Sequence, residues 1–223
     1  MPETEPGFAE TARRQVAADW QAACGHPFTA ALGDGTLPPR VMADYLVQDY
    51  AFIGTLVSLI GFAIGRAPDM PAKLRLSAFL AALTSEENTY FQRSFEALEV
   101  PAAERDRPEL HPVSEKLLAV MRDAGQTGSY GEILATLLPA EWIYLEWAEA
   151  QAHKAPGAPE AFWLREWIEL HANPAFRDFV RWLRAETDRA AERADAAERA
   201  AMTERFARLV ALEVEFFDVF APR

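Results

Sequence analysis

Apolar residues in this chain recur at intervals of three and four, and alternation at intervals of two is nearly absent. In and just before the stretch LLPAEWIYLEWA (137–148), Leu134, Leu137, Leu138, Tyr144, Leu145 and Ala148 fall on one stripe. That spacing is helical. The same reading, with Ala, Leu, Glu and Arg dominating, predicts helices over about residues 8–23, 27–33, 38–65, 70–98, 108–124, 129–153, 159–171, 174–192 and 196–220, after a frayed start through residue 7. GDGTLPPR and KAPGAPEA are turns by their Gly and Pro content. HANPAF reads as a helix start, with Asn173 as cap and Pro174 in the first helical position, and Asp195 is placed to cap the last helix. Helices 38–65 and 70–98 are apolar around too much of their circumference to lie on a surface, so they belong inside a bundle. No linker, repeat or low-complexity tract divides the chain. Residues 1–223 are expected to form one all-α domain, a single helical bundle.

Three acids break the pattern. Glu141 sits in the middle of the stripe just described. Asp49 has Tyr45, Leu46, Phe52, Ile53 and Leu56 as face neighbours and no basic partner at helical spacing. Glu213 shares its face with Leu209, Val210, Phe216, Phe217 and Phe220, whereas Glu215 and Asp218 lie opposite, on a solvated side. A single acid on an apolar stripe can cap a helix, accept from a buried Tyr or Trp, or pair with an arginine across the core. Three from three helices, with few basic residues on the inward faces, point to carboxylates converging on an apolar cavity. There their pKa values rise, which suits proton transfer near neutral pH.

Composition narrows the chemistry. The chain has 223 residues, half of them hydrophobic, enough for one sizeable core. Its net charge of −12 repels phosphate backbones, and the best cationic series, Arg177/Arg181/Arg184, is interleaved with acids, so no nucleic-acid partner is expected. The single cysteine, Cys24, fits a reducing cytoplasm. The acidic start MPETEPGFAE carries no apolar run of a secretory signal, and AFIGTLVSLIGFAIG (51–65) is short for a membrane span and reads as a buried helix. The expected setting is cytoplasmic, without a membrane.

Three chemistries use acids on bundle helices. A di-iron site needs an imidazole one turn after a glutamate, but Tyr90, Tyr144 and Phe216 stand three residues after Glu87, Glu141 and Glu213. None of His26, His111, His153 and His171 is suitably spaced, so no metal or other cofactor is expected. Cys24 ends the first helix beside Gly25 and reads as a packing residue. Acid–base chemistry on an organic ligand held by aromatic residues remains, with water attacking. Tyr45, Phe52, Trp142, Tyr144, Phe216 and Phe217 lie on or beside the same faces. A flat heteroaromatic ring wants aromatic walls and a carboxylate at its edge, and Asp49 could accept from the amino group and protonated ring nitrogen of an aminopyrimidine.

These residues resemble the TenA family, with its thiaminase II and aminopyrimidine aminohydrolase members, over nearly the whole chain. HPFTAALGDGTLPPRVMADYLVQDYAFI (26–53), EILATLLPAEWIYLE (132–146) and LEVEFFDVFA (212–221) match its motifs in order and spacing. The resemblance implies a heme-oxygenase-like bundle, a homo-oligomer (dimer or tetramer), and a thiamin-salvage hydrolase. Its substrate would be a 4-amino-5-aminomethyl-2-methylpyrimidine or the N-formyl form. Carried over by position, Asp49 binds the pyrimidine edge, Phe52 is a wall, Tyr144 hydrogen-bonds in the site, Glu213 is the catalytic glutamate, and Phe216 stacks one turn later. Tyr45 stands beside them, and His171 occupies a position that is often Tyr in the better-studied branch.

Departures from that branch matter. Ala140 stands where it has the nucleophilic cysteine, and no tyrosine occurs near Leu117. Glu141, next to the missing thiol, resembles the glutamate of a cysteine-less branch. Cysteine-dependent cleavage of thiamin is therefore not expected. In the mechanism this implies, Asp49 orients the ring, Phe52, Phe216 and His171 enclose it, and of Glu141 and Glu213 one activates water while the other protonates the departing nitrogen. The alternative is a non-catalytic pyrimidine-binding member of the fold. A relative of pyrroloquinoline-quinone synthase would need inward His and Arg, which the helix faces do not supply. A DNA-binding regulator is opposed by charge and by the lack of a helix-turn-helix. Among the other residues, His26 reads as structural, the Trp163/Trp167 pair as packing or a subunit contact, and RAAERADAAERAAMTERFAR (189–208) as a solvated face with i,i+4 Glu–Arg pairs.

Overall fold

In the computed structural model, residues 6–154, 157 and 159–222 are described, and all regular structure among them is helical. The elements are α1 (Phe8–Gln15), α2 (Ala17–Cys24), α3 (Pro27–Gly33), α4 (Pro39–Arg66), α5 (Met70–Ala82), a π-helical turn (Leu83–Glu87), α6 (Asn88–Ala97), α7 (Ala102–Asp106), α8 (Pro112–Thr127), α9 (Tyr130–Ala152), α10 (Phe162–Ala172), α11 (Pro174–Arg193) and α12 (Ala196–Val219). Residues 1–5 of the expected frayed start and part of the KAPGAPEA turn lie outside the described residues.

Helix α9 is the axis of the bundle. Seventeen of its 23 residues are buried, and α2, α3, α4, α8, α10, α11 and α12 pack around it. A helix apolar all round has no face to give to water and must be enclosed. Its start is fixed by a capping box, in which the Ser129 hydroxyl accepts from the Glu132 N–H and the Glu132 carboxylate accepts from the Ser129 N–H. The caps expected for α11 and α12 are present: Asn173 Oδ1 accepts from Phe176 N at 2.9 Å and Asp195 Oδ1 from Glu198 N at 2.8 Å. His26 Nδ1 accepts from Phe28 N at 3.2 Å, a cap on α3 that confirms its structural role.

Several boundaries differ from the periodicity. The first helix breaks at Val16 (φ −112°, ψ 29°), where neither Gly nor Pro announces it. The helix expected over 70–98 is interrupted by the π turn, where the hydrogen-bond register slips by one residue. Side-chain hydroxyls cluster on the carbonyls around the slip: Thr84 Oγ1 donates to Leu80 O, Ser85 Oγ to Ala81 O and Thr89 Oγ1 to Ser85 O. Helix α8 begins at Pro112 rather than 108 because Gln48 of α4 clamps the preceding backbone. Its Nε2 donates to Glu109 O at 2.9 Å and its Oε1 accepts from His111 N at 3.0 Å. Residues 159–161 precede α10, and the short α7 follows Pro101 without a periodic signal.

Two further expectations are corrected. The 189–208 stretch contains no i,i+4 Glu–Arg pair among the described residues; Arg205 instead reaches Glu132 at 2.6 Å and Asp123 at 2.8 Å, and Met202 and Phe206 are buried. Helix α4, with 28 residues and an 18-residue stretch of mean hydropathy 1.6, is long and apolar enough by those measures alone to cross a membrane. It nevertheless packs against α5, α8 and α9, and its inward side carries buried Gln48 and Asp49.

Candidate functional site

The three acids sit where their stripes put them. Asp49, Glu141 and Glu213 are 5, 6 and 2% exposed, on α4, α9 and α12. None makes an ion pair among the described residues, whereas acids such as Glu149, Glu166 and Glu215 pair across helices. Asp49 and Glu141 line a small cavity of about 30 Å³, together with Phe52, Ile53, Leu56, Leu83, Glu87, Ala140, Tyr144, Trp167 and His171. Among the described residues no lysine or arginine is on that wall.

One oxygen of Asp49 is held by a short relay. Tyr144 donates its hydroxyl proton to Asp49 Oδ1 at 3.3 Å, and the Tyr45 hydroxyl lies 2.8 Å from that of Tyr144. With Tyr144 donating to Asp49, Tyr45 is the donor to Tyr144. The other Asp49 oxygen has no protein partner among the described residues. Tyr45 itself lies behind the wall, its ring 5.7 Å from Phe216 and 4.7 Å from Phe28. Phe216 is likewise behind Tyr45 and not on the wall. Glu213 is buried behind it too, with Oε2 lacking any hydrogen-bond partner.

Electrostatics couple the group. Burial, opposed by the Tyr144 hydroxyl, lifts Asp49 to about 7. Burial and then the Asp49 charge lift Glu141 to about 8. Glu213 is raised well above the carboxylate range by burial, then by Asp49 and Glu141. The acids therefore share few charges at neutral pH and titrate as a set. His171 is pushed down to about 4 by burial. It is thus neutral, with Nδ1–H donating to Trp167 O at 2.9 Å and Nε2 left as an acceptor, its ring 5.0 Å from Tyr144.

Periodicity missed two wall residues. Trp167, read as packing, is fully buried but faces the cavity, where Tyr90 stacks on it at 5.1 Å and His171 meets its edge at 4.4 Å. Glu87, weighed above only as a possible iron ligand, reaches the cavity from the π turn. Glu87 is half-buried, and desolvation, then Glu141 and Asp49, raise it above the carboxylate range. No stripe pointed to it, since a π turn shifts the face its residues occupy. Among the described residues no three His, Cys, Asp or Glu side chains are spaced to hold a metal ion. Cys24 is far from this chemistry: its Sγ lies 3.5 Å from Glu146 Oε2, and burial with that carboxylate pushes the thiol up.

A pocket bearing acids, aromatic faces and a neutral imidazole has the chemistry to bind a flat, nitrogen-rich ring and to move protons at its edge. Residues 13–220 match the model of the TENA/THI-4/PQQC family. The chain is 29% identical over 199 residues to the aminopyrimidine aminohydrolase of Bacillus subtilis (89% of this chain, 83% of that protein). It is 26% identical over 212 residues to that of Halalkalibacterium halodurans (95% and 94%). Among solved structures, a TenA homologue from P. horikoshii OT3 superposes with a TM-score of 0.84 at 21% identity, covering 96% of this chain and 98% of that one. A protein described as a TenA family transcription regulator from Silicibacter sp. TM1040 gives 0.86 at 20%, covering all of both chains. At such identities the structural likeness shows the fold.

Proposed function

We propose, for a chain that belongs to the TENA/THI-4/PQQC family, that it is a hydrolase cleaving the exocyclic C–N bond of an aminomethylpyrimidine, a step of thiamin salvage. The observation that carries this reading is the cavity wall itself, where Asp49 and Glu141 face aromatic rings with no cation among the described residues.

Asp49 orients the ring. Lifted to about 7, it shares a proton with a ring nitrogen while its free oxygen accepts from the adjacent amino group. Phe52 and Trp167 supply the apolar walls, and Tyr45, Tyr144 and Phe216 fix Asp49 from behind. The nitrogen leaves as ammonia from its protonated form, and the water that replaces it gives up a proton, so that R–CH2–NH3+ and H2O become R–CH2–OH and NH4+. Glu141, on the wall, takes that proton and passes it to the departing ammonia, while Glu213, buried behind the wall, supports it from there. Ala140, on the wall beside Glu141, offers no nucleophile, which accounts for the expected lack of cysteine-dependent thiamin cleavage. A polar oxidase pocket of the pyrroloquinoline-quinone type is not supported by a wall without Arg or Lys.

The test is ammonia release from a 4-amino-5-aminomethylpyrimidine, and formate release from its N-formyl derivative. Turnover of the amine that is abolished in Glu213→Gln and Glu141→Gln supports the reading. Tight pyrimidine binding without product favours a binding protein instead. The protein acts as a cytoplasmic homo-oligomer in this reading. On α4, Gly54, Gly61 and Gly65 have open space where a Cβ would stand, and Phe62 is 41% exposed beside them, a face shaped for close packing by another copy. Light scattering on wild type and Gly61→Glu checks that assembly.

A further inference from the structure

A second groove, of about 190 Å³, lies outside the cavity and is lined by Arg75, Phe79, Glu86, Asn173, Phe176 and Phe179 among others. Leu83 and Glu87 line both spaces. The π turn is therefore the partition between them, and Glu87 is its carboxylate. A π turn inside a helix is a strained feature that commonly marks a functional position. Here it turns Glu87 toward Glu141 and Asp49, whereas its neighbour Glu86 is exposed.

Glu87 has no hydrogen bond or ion pair among the described residues, and the groups facing it do not supply one. Asp49 from α4 and Glu141 from α9 are acids. His171 from α10 is neutral and its Nδ1–H is engaged with Trp167 O. Arg75 of α5 lines only the outer groove. Glu141, 94% buried on the same wall, is also without a partner. A wall with two unpartnered carboxyls, Glu87 and Glu141, and no cation among the described residues is completed by a ligand that brings the positive charge and so favours their ionised form.

We propose that Glu87 is a specificity-determining residue, receiving the protonated aminomethyl group of the substrate at the partition and so selecting the cationic amine over neutral analogues. This rests on the pyrimidine reading above and deepens it. Asp49 takes the ring edge, and Glu87 takes the exocyclic ammonium, whose nitrogen already carries the proton it leaves with. An N-formyl substrate is a neutral amide and gains nothing from this carboxylate.

Calorimetric binding of a 4-amino-5-aminomethylpyrimidine and of its neutral 5-hydroxymethyl counterpart tests the assignment, with steady-state kinetics on the amine. In Glu87→Gln the Kd and KM for the amine rise roughly tenfold or more, as for loss of a charge-assisted hydrogen bond. Binding of the hydroxymethyl compound stays within about twofold, and kcat changes less than KM. Glu87→Asp recovers part of the amine affinity. Equal losses for both ligands would mark Glu87 as merely structural and overturn the assignment, as would an unchanged amine affinity. If the wild-type protein binds neither pyrimidine, the underlying functional reading falls and takes the assignment with it. If it binds both and Glu87→Gln shows no charge-selective loss, only the assignment falls.

Discussion

Glu10 and Glu141 are the same residue type on two helices, and they behave as different chemical groups. Glu10, on the outer side of α1, accepts from Arg13 and Arg14 and has Arg184 nearby at 3.8 Å. Those partners hold its carboxyl down at about 2, against the opposing effect of burial. Glu141, enclosed on α9 with no cation, is pushed up to about 8. The contrast extends to whole sets. Outside, Glu149 pairs with Arg177, Glu166 with Arg93 and Glu215 with Lys116. Inside, Asp49, Glu87, Glu141 and Glu213 have no cation among the described residues; the Asp49 charge opposes ionisation of the other three, and Glu141 opposes that of Glu87 and Glu213. The outer acids make an anionic surface. The inner ones are held above the ordinary carboxylate range, and the difference comes from what folding places beside each carboxyl.

The comparison breaks most visibly in activity. Glu141→Gln keeps the shape of the side chain but can neither hold nor release a proton. Ammonia release should fall by roughly 10²–10⁴-fold, the range for a group in general acid–base catalysis. Turnover near the wild-type rate would remove Glu141 from the mechanism.

The next effect is on stability and has the opposite sign. Glu141 is raised in the folded chain from an ordinary 4.5 to about 8, so between those values the native state binds more protons than the unfolded one. Stability is then full at low pH and is lost as pH rises through this window. Glu141→Gln removes that penalty and should stabilise the protein by up to a few kcal/mol at pH 8.5 and by much less at pH 5, read from urea unfolding at the two pH values. An equal gain at both would mean that ionisation is not the cause.

A smaller change sharpens the role of the relay. Tyr144→Phe deletes the hydroxyl that donates to Asp49, a loss of about 1 kcal/mol or five- to tenfold in kcat/KM. Because that bond favours the ionised carboxylate, its removal should move the Asp49-dependent limb of the pH–rate profile upward from about 7. The smallest effect belongs to the outer set. Glu10→Gln should cost at most about 1 kcal/mol, with the difference from wild type shrinking as salt is added.

Much of this was legible in the chain. The stripes of α4, α9 and α12 set the all-helical class and singled out Asp49, Glu141 and Glu213 as acids on the wrong faces. The caps at Asn173 and Asp195 were readable because a cap is local chemistry between a side chain and a backbone N–H three residues on. The start of α8 was not, since Gln48, more than sixty residues away, holds the backbone before it. Glu87 and Trp167 escaped for related reasons. Periodicity assigns faces by assuming 3.6 residues per turn, and the π turn breaks that assumption just where Glu87 sits. A buried tryptophan at helical spacing looks the same whether it meets core or cavity.

By itself, then, the sequence determined which side chains leave water, because helical spacing is a local property that each segment carries with it. Only the tertiary structure decided which of those side chains meet, that Asp49, Glu87 and Glu141 share a wall while Glu213, Phe216 and Tyr45 stand behind it, and that no arginine among the described residues pairs with them. Such juxtapositions arise from long-range packing around α9, where the energy of each group depends on neighbours remote along the chain.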